Sequence, residues 1–213
     1  MEALSDVVLD WKLECDVQSD CTLQTRHVTN SAEGLWRERV EERWQRTQEL
    51  GRGSFGVVWL EKCDYGPSSG QLRAVKELRK TQASTRPKYY SKELEAVVKF
   101  SHKRVGFSRR GRRIAFIRIW LTRLKYQDCF VQSFGWFEDE SAIFITMEYV
   151  PLGDLEHHLR TPLPEAQARV ITRQALQGLV FMHENKFAHR DLKPGVSTSS
   201  CLVCIRHSIL LIS

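Results

Sequence analysis

Between two runs of β-favouring residues stands Gly51-Arg52-Gly53-Ser54-Phe55-Gly56, three glycines in the spacing G-x-G-x-x-G. Such a loop can fold its backbone amides over phosphates, because glycine lets the chain approach an anion closely. Alone the spacing is a weak signal, since an ordinary glycine hairpin looks the same. The adjoining residues sharpen it: Val57-Val58-Trp59-Leu60 favours a strand, whereas a dinucleotide-binding loop opens into a helix. Lys76, twenty residues after Gly56, closes the apolar run Ala74-Val75-Lys76. A lysine on the strand beside a glycine loop can reach the α- and β-phosphates of a nucleotide lying under it. It needs a carboxylate to hold it in place, and the following helical stretch offers Glu93 and its local rival Glu95. Sequence spacing does not separate the two.

These groups require a scaffold, and the pattern from Gln48 onward describes one. ELGRGSFGVVWLEKC, the turn-rich DYGPSSG and QLRAVKEL read as strand, glycine loop, strand, turn and strand. YYSKELEAVVKF places Leu94, Val97 and Val98 at helical spacing. CFVQSFGWFEDESAIFITMEYV gives two apolar runs around the acidic turn EDES, a strand hairpin. Helices follow: GDLEHHL is short, while PEAQARVITRQALQGLVFMHEN keeps Val170, Ile171, Gln174, Ala175, Gly178, Leu179 and Met182 on one face. Five strands with one helix among them, ahead of a helical region, predict an α+β fold in two lobes. Residues 1–46 show no sustained period and are expected to form a poorly ordered leader that packs at its end through Trp36 or Trp44.

The ordered series of motifs resembles the eukaryotic protein kinases. It comprises the glycine loop with Val58, Ala74-Val75-Lys76, Glu93, Met147-Glu148-Tyr149-Val150, Gly153-Asp154-Leu155, Met182-His183 and His189-Arg190-Asp191-Leu192-Lys193-Pro194. The resemblance covers roughly residues 47–104 and 128–195 and implies an N-lobe of five antiparallel strands plus one helix, with a helical C-lobe that is incomplete. It implies ATP as the nucleotide and an unknown protein as the substrate. Leu50, Gly51, Arg52, Gly53, Ser54, Phe55 and Gly56 would then form the phosphate loop. Val58 and Ala74 would cover the adenine from one side. Glu148 and Val150 would offer backbone hydrogen bonds to its edge behind Met147, and Asp154 would lie near the ribose. Lys76 with Glu93 would hold phosphates, Asp191 would accept the proton of the substrate hydroxyl, and Lys193 would neutralise charge on the transferred phosphoryl group. A lysine two residues after that aspartate resembles the serine/threonine kinases more than the tyrosine kinases.

The chain also departs from the pattern. Five residues after Asp191, where the family has an asparagine that binds magnesium, stands Val196, and valine has no donor for a hard cation. No Asp-Phe-Gly or Ala-Pro-Glu occurs, and the chain stops 22 residues after Asp191. Mg2+ is thus expected for the family while its ligands are missing here, and no other metal site is read. The expectation is a C-terminally truncated kinase that transfers phosphate poorly. Its divisions are a leader at 1–46, a partial kinase domain at 47–195 and a non-family tail at 196–213. Within the domain the N-lobe is 47–147, the hinge 148–153 and the start of the C-lobe 154–195. A basic insertion at 105–127 interrupts it. Both departures begin with valine, Val105 and Val196, whose codons open with GT as introns do, and Gln127 can be encoded by CAG. Both segments are therefore expected to be translated introns; their persistence in spliced, translated message would count against this. The alternatives are a non-catalytic kinase-like interaction module and a fragment without function.

Composition sets the outer limits. The 213 residues are 42 % hydrophobic, ordinary for a globular protein, and no apolar run is long enough to span a bilayer. The first residues lack the layout of a signal peptide, so the expected compartment is cytoplasmic, with the nucleus as the alternative, and not secreted. Six scattered cysteines then read as free thiols, the Cys201-x-x-Cys204 pair included. The net charge of +6 comes from 105–127, which holds seven basic residues and no acidic one. Without that segment the balance is 25 basic against 26 acidic residues. DNA is therefore not an expected partner, and binding of anionic lipid or RNA is a lesser reading confined to 105–127.

Overall fold

Three bulges interrupt the pairing of an 18-residue strand, β3 (Trp36–Gly53), with its neighbour β4 (Gly56–Tyr65), between Arg43 and Trp44, Arg46 and Gln48, and Glu49 and Gly51. Each bulge bends and twists its strand, which is how a flat ladder becomes a curled one. The computed structural model describes residues 5–30, 36–53, 56–80, 88–100, 129–189, 192–194, 197–198 and 209–210. The chain divides into two units, Met1–Tyr89 with Phe134–Tyr149 and Tyr90–Ser133 with Val150–Ser213.

The first unit opens with a short helix α1 (Asp6–Leu9) and then strands β1 (Glu14–Val17) and β2 (Cys21–Asn30). After β3 and β4 come β5 (Leu72–Arg79), β6 (Ser133–Glu138) and β7 (Ala142–Glu148). The strand order is β1-β2-β3-β4-β5-β7-β6. The five expected strands are present as β3 to β7. At the β6–β7 turn the Asp139 carboxylate accepts from the amides of Ser141 and Ala142 at 2.6 and 2.7 Å, the turn chemistry that EDES foretold.

The N-terminal region departs from expectation. Residues 14–46, expected to form a poorly ordered leader, contribute β1, β2 and the first half of β3. Residues 11–13 then run beside β6. The Leu13 amide donates to the Trp136 carbonyl at 2.7 Å, the Trp136 amide donates to the Trp11 carbonyl at 3.1 Å, and Lys12 pairs in parallel with Trp136. The two edges of the sheet are thereby joined, and no free edge is left along this stretch. Along β2 and β3 the enclosed face carries Thr22, Gln24, Glu42 and Trp44, all buried. Three of the four are polar, so the alternation of apolar and polar residues that marks a half-buried strand is missing from the sequence.

Gln24 and Glu42 find their partners within the enclosed face. Arg73 Nε donates to Glu61 Oε2 at 2.8 Å and Nη1 donates to Gln24 Oε1 at 2.6 Å, while the guanidinium stacks 4.0 Å over the Trp44 ring. The Trp44 indole donates to Glu42 at 3.2 Å, and Glu42 in turn accepts from Arg26 and Ser68. Beyond this network lies an apolar cluster of Val75, Phe137, Ala142 and Phe144, against which Leu13, Cys15 and Val17 pack. Full burial of side chains of this size stabilises by about 1.5–3 kcal/mol each. Burial also pushes the Cys15 thiol up to about 12, so it stays protonated.

The second unit holds nearly all of α2 (Lys88–Phe100), together with α3 (Leu155–His158) and α4 (Glu165–Glu184). Its tail carries two-residue strands β8 (Ser197–Thr198) and β9 (Ile209–Leu210), which pair antiparallel. Phe100 on α2 stacks on Phe130 at 5.2 Å and meets Phe181 and Phe187 edge-on, closing a core with Ala96, Cys129 and Met182. Of the expected face of α4, Ile171, Gly178 and Met182 are buried, but Val170 is exposed. Among the described residues no helix is long and apolar enough to cross a membrane. The basic segment 105–127 lies outside the described residues.

One clamp makes the joined edges sensitive to acid. Glu138 at the end of β6 accepts from Lys12 and from Lys80, both at 2.7 Å. Burial pushes its carboxyl up, but the hydrogen bonds and charges of the two lysines outweigh it and hold it below its ordinary value of 4.5. A depressed carboxylate contributes stability that is present above its unfolded value and lost as pH falls through the folded one. Thermal melts between about pH 5 and pH 3 should therefore show a steeper loss for the natural chain than for Glu138→Gln. Equal slopes would contradict the clamp.

Candidate functional site

Strand register decides which residues of the first unit share a surface. Directly opposed residues of an antiparallel pair lie on one face, and residues two apart along a strand return to it. Gly51 pairs with Val58, Val58 with Lys76, and Lys76 with Ile145. One step along, Leu60 pairs with Ala74 and Ala74 with Met147. Gly51, Val58, Lys76, Ala74 and Met147 therefore stand on the same face, opposite the enclosed one that carries Arg73 and Val75. Register adds Ile145 and Leu60, which no motif marks because cross-strand pairing is not written in one strand's sequence.

The three glycines serve different ends. A Cβ on Gly56 would stand 1.9 Å from the Glu77 carbonyl oxygen on β5, so glycine is needed there for strand to approach strand. A Cβ on Gly51 or on Gly53 would meet nothing within 4 Å. Packing does not explain those two, and their exposed backbone is open to a group from outside. Arg52 between them is held by Glu49 through hydrogen bonds of 3.1 and 2.6 Å. Leu50 is half-exposed, and Ser54 and Phe55 lie outside the described residues.

The other expected residues are placed as follows. Glu148 ends β7 opposite Arg73, and Val150 follows in the second unit. Of the two carboxylates on α2, Glu93 is half-buried and Glu95 exposed. Asp154 caps α3, its carboxylate accepting from the His157 amide at 2.9 Å, a structural task for a residue expected near a ribose. His189 is buried and Lys193 exposed. Asp191 lies outside the described residues, as does Val196.

Comparison with known proteins bears on this arrangement. The family described as "Protein kinase domain" matches residues 118–195, a match that starts inside the basic segment. Mitogen-activated protein kinase kinase kinase A of Dictyostelium discoideum is 30 % identical over 159 residues, which is 71 % of this chain and 14 % of that protein. Mitogen-activated protein kinase kinase kinase ANP1 of Arabidopsis thaliana is 30 % identical over 161 residues, 70 % of this chain and 20 % of that one. Mitogen-activated protein kinase kinase kinase 3 of Mus musculus is 29 % identical over 182 residues, 84 % of this chain and 24 % of that one. The chain thus spans a quarter or less of these relatives.

The glycine roles are separable by substitution. Gly56→Ala should cost about 2–3 kcal/mol in denaturant unfolding, because the β4 and β5 backbones must part. Gly53→Ala should stay within about 0.5 kcal/mol of the natural chain. Equal costs would refute the assignment.

Proposed function

The chain belongs to the protein kinase family, and on that premise we propose that it binds ATP on the β3–β4–β5–β7 face of its first unit. The observation that carries the reading is the shared face of Gly51, Val58, Ala74, Lys76 and Met147, with open space at Gly51 and Gly53. Val58 and Ala74 would cover the adenine, and Glu148 and Val150 would offer it backbone hydrogen bonds. The amides at Gly51 and Gly53 would face the phosphates, with Lys76 supplying positive charge. The expected reaction class is transfer of the γ-phosphoryl group to serine or threonine hydroxyls of a protein. In that reaction Asp191 would take the hydroxyl proton and Lys193 would neutralise the phosphoryl oxygens. Positioning and charge neutralisation are most of what this chemistry asks of a protein.

Magnesium fits this chain less well. The family's ion would neutralise phosphate charge, and here the residue five after Asp191, which would help to hold it, is Val196, whose side chain has no donor. We propose that these 213 residues bind nucleotide but transfer phosphate poorly. A second reading, a kinase-like interaction module, is favoured by the apolar residues Leu176 and Val180, one turn apart and exposed on α4.

Titration of the full chain with a fluorescent ATP analogue tests the binding. Lys76→Met should raise Kd at least about tenfold, equivalent to about 1.4 kcal/mol. Absence of binding by the natural chain would refute the site. Incorporation of labelled phosphate into a generic protein should not exceed that of Lys76→Met or Asp191→Asn. A clear excess would refute the deficiency.

A further inference from the structure

Residues 8–17 are bound into the first unit more tightly than a leader requires. Val8 is buried, and the equally buried Trp136 donates its indole N–H to the Val8 carbonyl at 2.8 Å. A notch receives the next residues. Gly135 has φ +135°, and a Cβ there would stand 2.7 Å from the Trp11 carbonyl oxygen and 2.9 Å from the Leu13 side chain. Gly135 is thus glycine because this segment crosses it. Its carbonyl is also fixed, accepting from the Thr146 hydroxyl at 2.9 Å. Lys12 lies 5.2 Å over the Trp136 ring and reaches Glu138.

The consequences converge on β5. Leu13, Cys15 and Val17 pack on the cluster that contains Val75. Val75 sits between Ala74 and Lys76, and successive strand residues point to opposite faces, so packing on Val75 fixes the backbone from which both neighbours project. Beyond β5, Glu138 ties Lys12 to Lys80. At the other end Arg73 is held by Gln24 of β2 and by Trp44 of β3. The strand is therefore anchored at 73 and, through the apolar cluster, at 75 by residues that precede the glycine loop, while Lys80 just beyond it is held by Glu138, which also binds Lys12.

We infer that residues 8–17 are a strap that sets nucleotide affinity by holding β5, and with it Ala74 and Lys76, in the binding-competent position. The inference rests on the nucleotide-binding reading above. A strap of this kind acts through the fraction of molecules that are competent, since apparent affinity falls in proportion to that fraction. Residues 8–17 act by positioning and need not touch the nucleotide.

The test uses the full chain, a fluorescent ATP analogue and the rate of tryptic cleavage after Lys12. Gly135→Ala fills the notch and should release the strap. Cleavage after Lys12 should quicken, and Kd should rise roughly tenfold with unchanged stoichiometry. Leu13→Ala, which removes one packing contact and leaves the notch open, should move both readouts the same way by less. It serves if Gly135→Ala does not fold. Faster cleavage with Kd within about twofold of the natural chain would overturn the inference, since about twofold is too small a shift for a competent fraction reduced tenfold. If the natural chain binds no analogue, the nucleotide-binding reading fails and the affinity claim falls with it. Binding that Lys76→Met abolishes but Gly135→Ala leaves intact overturns the strap's role alone.

Discussion

A guanidinium only 2 % exposed, that of Arg73, has to be compensated where it lies. Removing one partner of a buried ion pair costs about 3–5 kcal/mol, because the other charge is left without water and without a counter-charge. Glu61 supplies the charge from the neighbouring strand, but it occupies only one side of the fork. Gln24 supplies the acceptor for Nη1, and the Trp44 ring covers the guanidinium plane. Both come from the N-terminal strands. The presence of Arg73 on the enclosed face therefore ties β2 and the first half of β3 to the sheet, and those strands bring β1 and the strap with them.

From that constraint the two faces of β5 acquire separate tasks. Arg73 and Val75 point into the enclosed side and carry the packing. Ala74 and Lys76 point the other way, onto the face shared with Gly51, Val58 and Met147. Because the side-chain period of a strand is two, a slip of one residue would exchange the tasks, burying Lys76 and exposing Arg73. The Arg73–Glu61 pair fixes the register against such a slip, since only in register do the two charges meet.

Much of this is legible in the sequence. The strands from Gln48 onward are marked by β-branched residues around Val57-Val58 and Ala74-Val75, the hairpin by EDES, and α4 by its periodic face. The N-terminal strands are not legible. Their buried positions include Thr22, Gln24 and Glu42, and the partners of Gln24 and Glu42, which are Arg73, Arg26 and Ser68, lie up to 49 positions away in the chain. A window of a dozen residues cannot contain such a pairing. Trp44 stands out in the sequence as an anchor and is buried on Arg73, though nothing near it in the chain points to that partner. At the candidate site the glycine spacing reads as a single device. The structure divides it, with Gly56 serving strand packing and Gly51 and Gly53 left open. Asp154 likewise carries a helix-capping task that its motif does not announce.

Residues 11–13 join the two edges of the sheet. Amide hydrogen exchange of the full chain, read residue by residue, addresses this joining directly, because a strand hydrogen bond slows exchange to the opening rate of the structure that holds it. The amides of Leu13 and Trp136 should exchange together and nearly as slowly as those of β5. Exchange of Leu13 at the rate of an unstructured chain while β5 remains protected would contradict it.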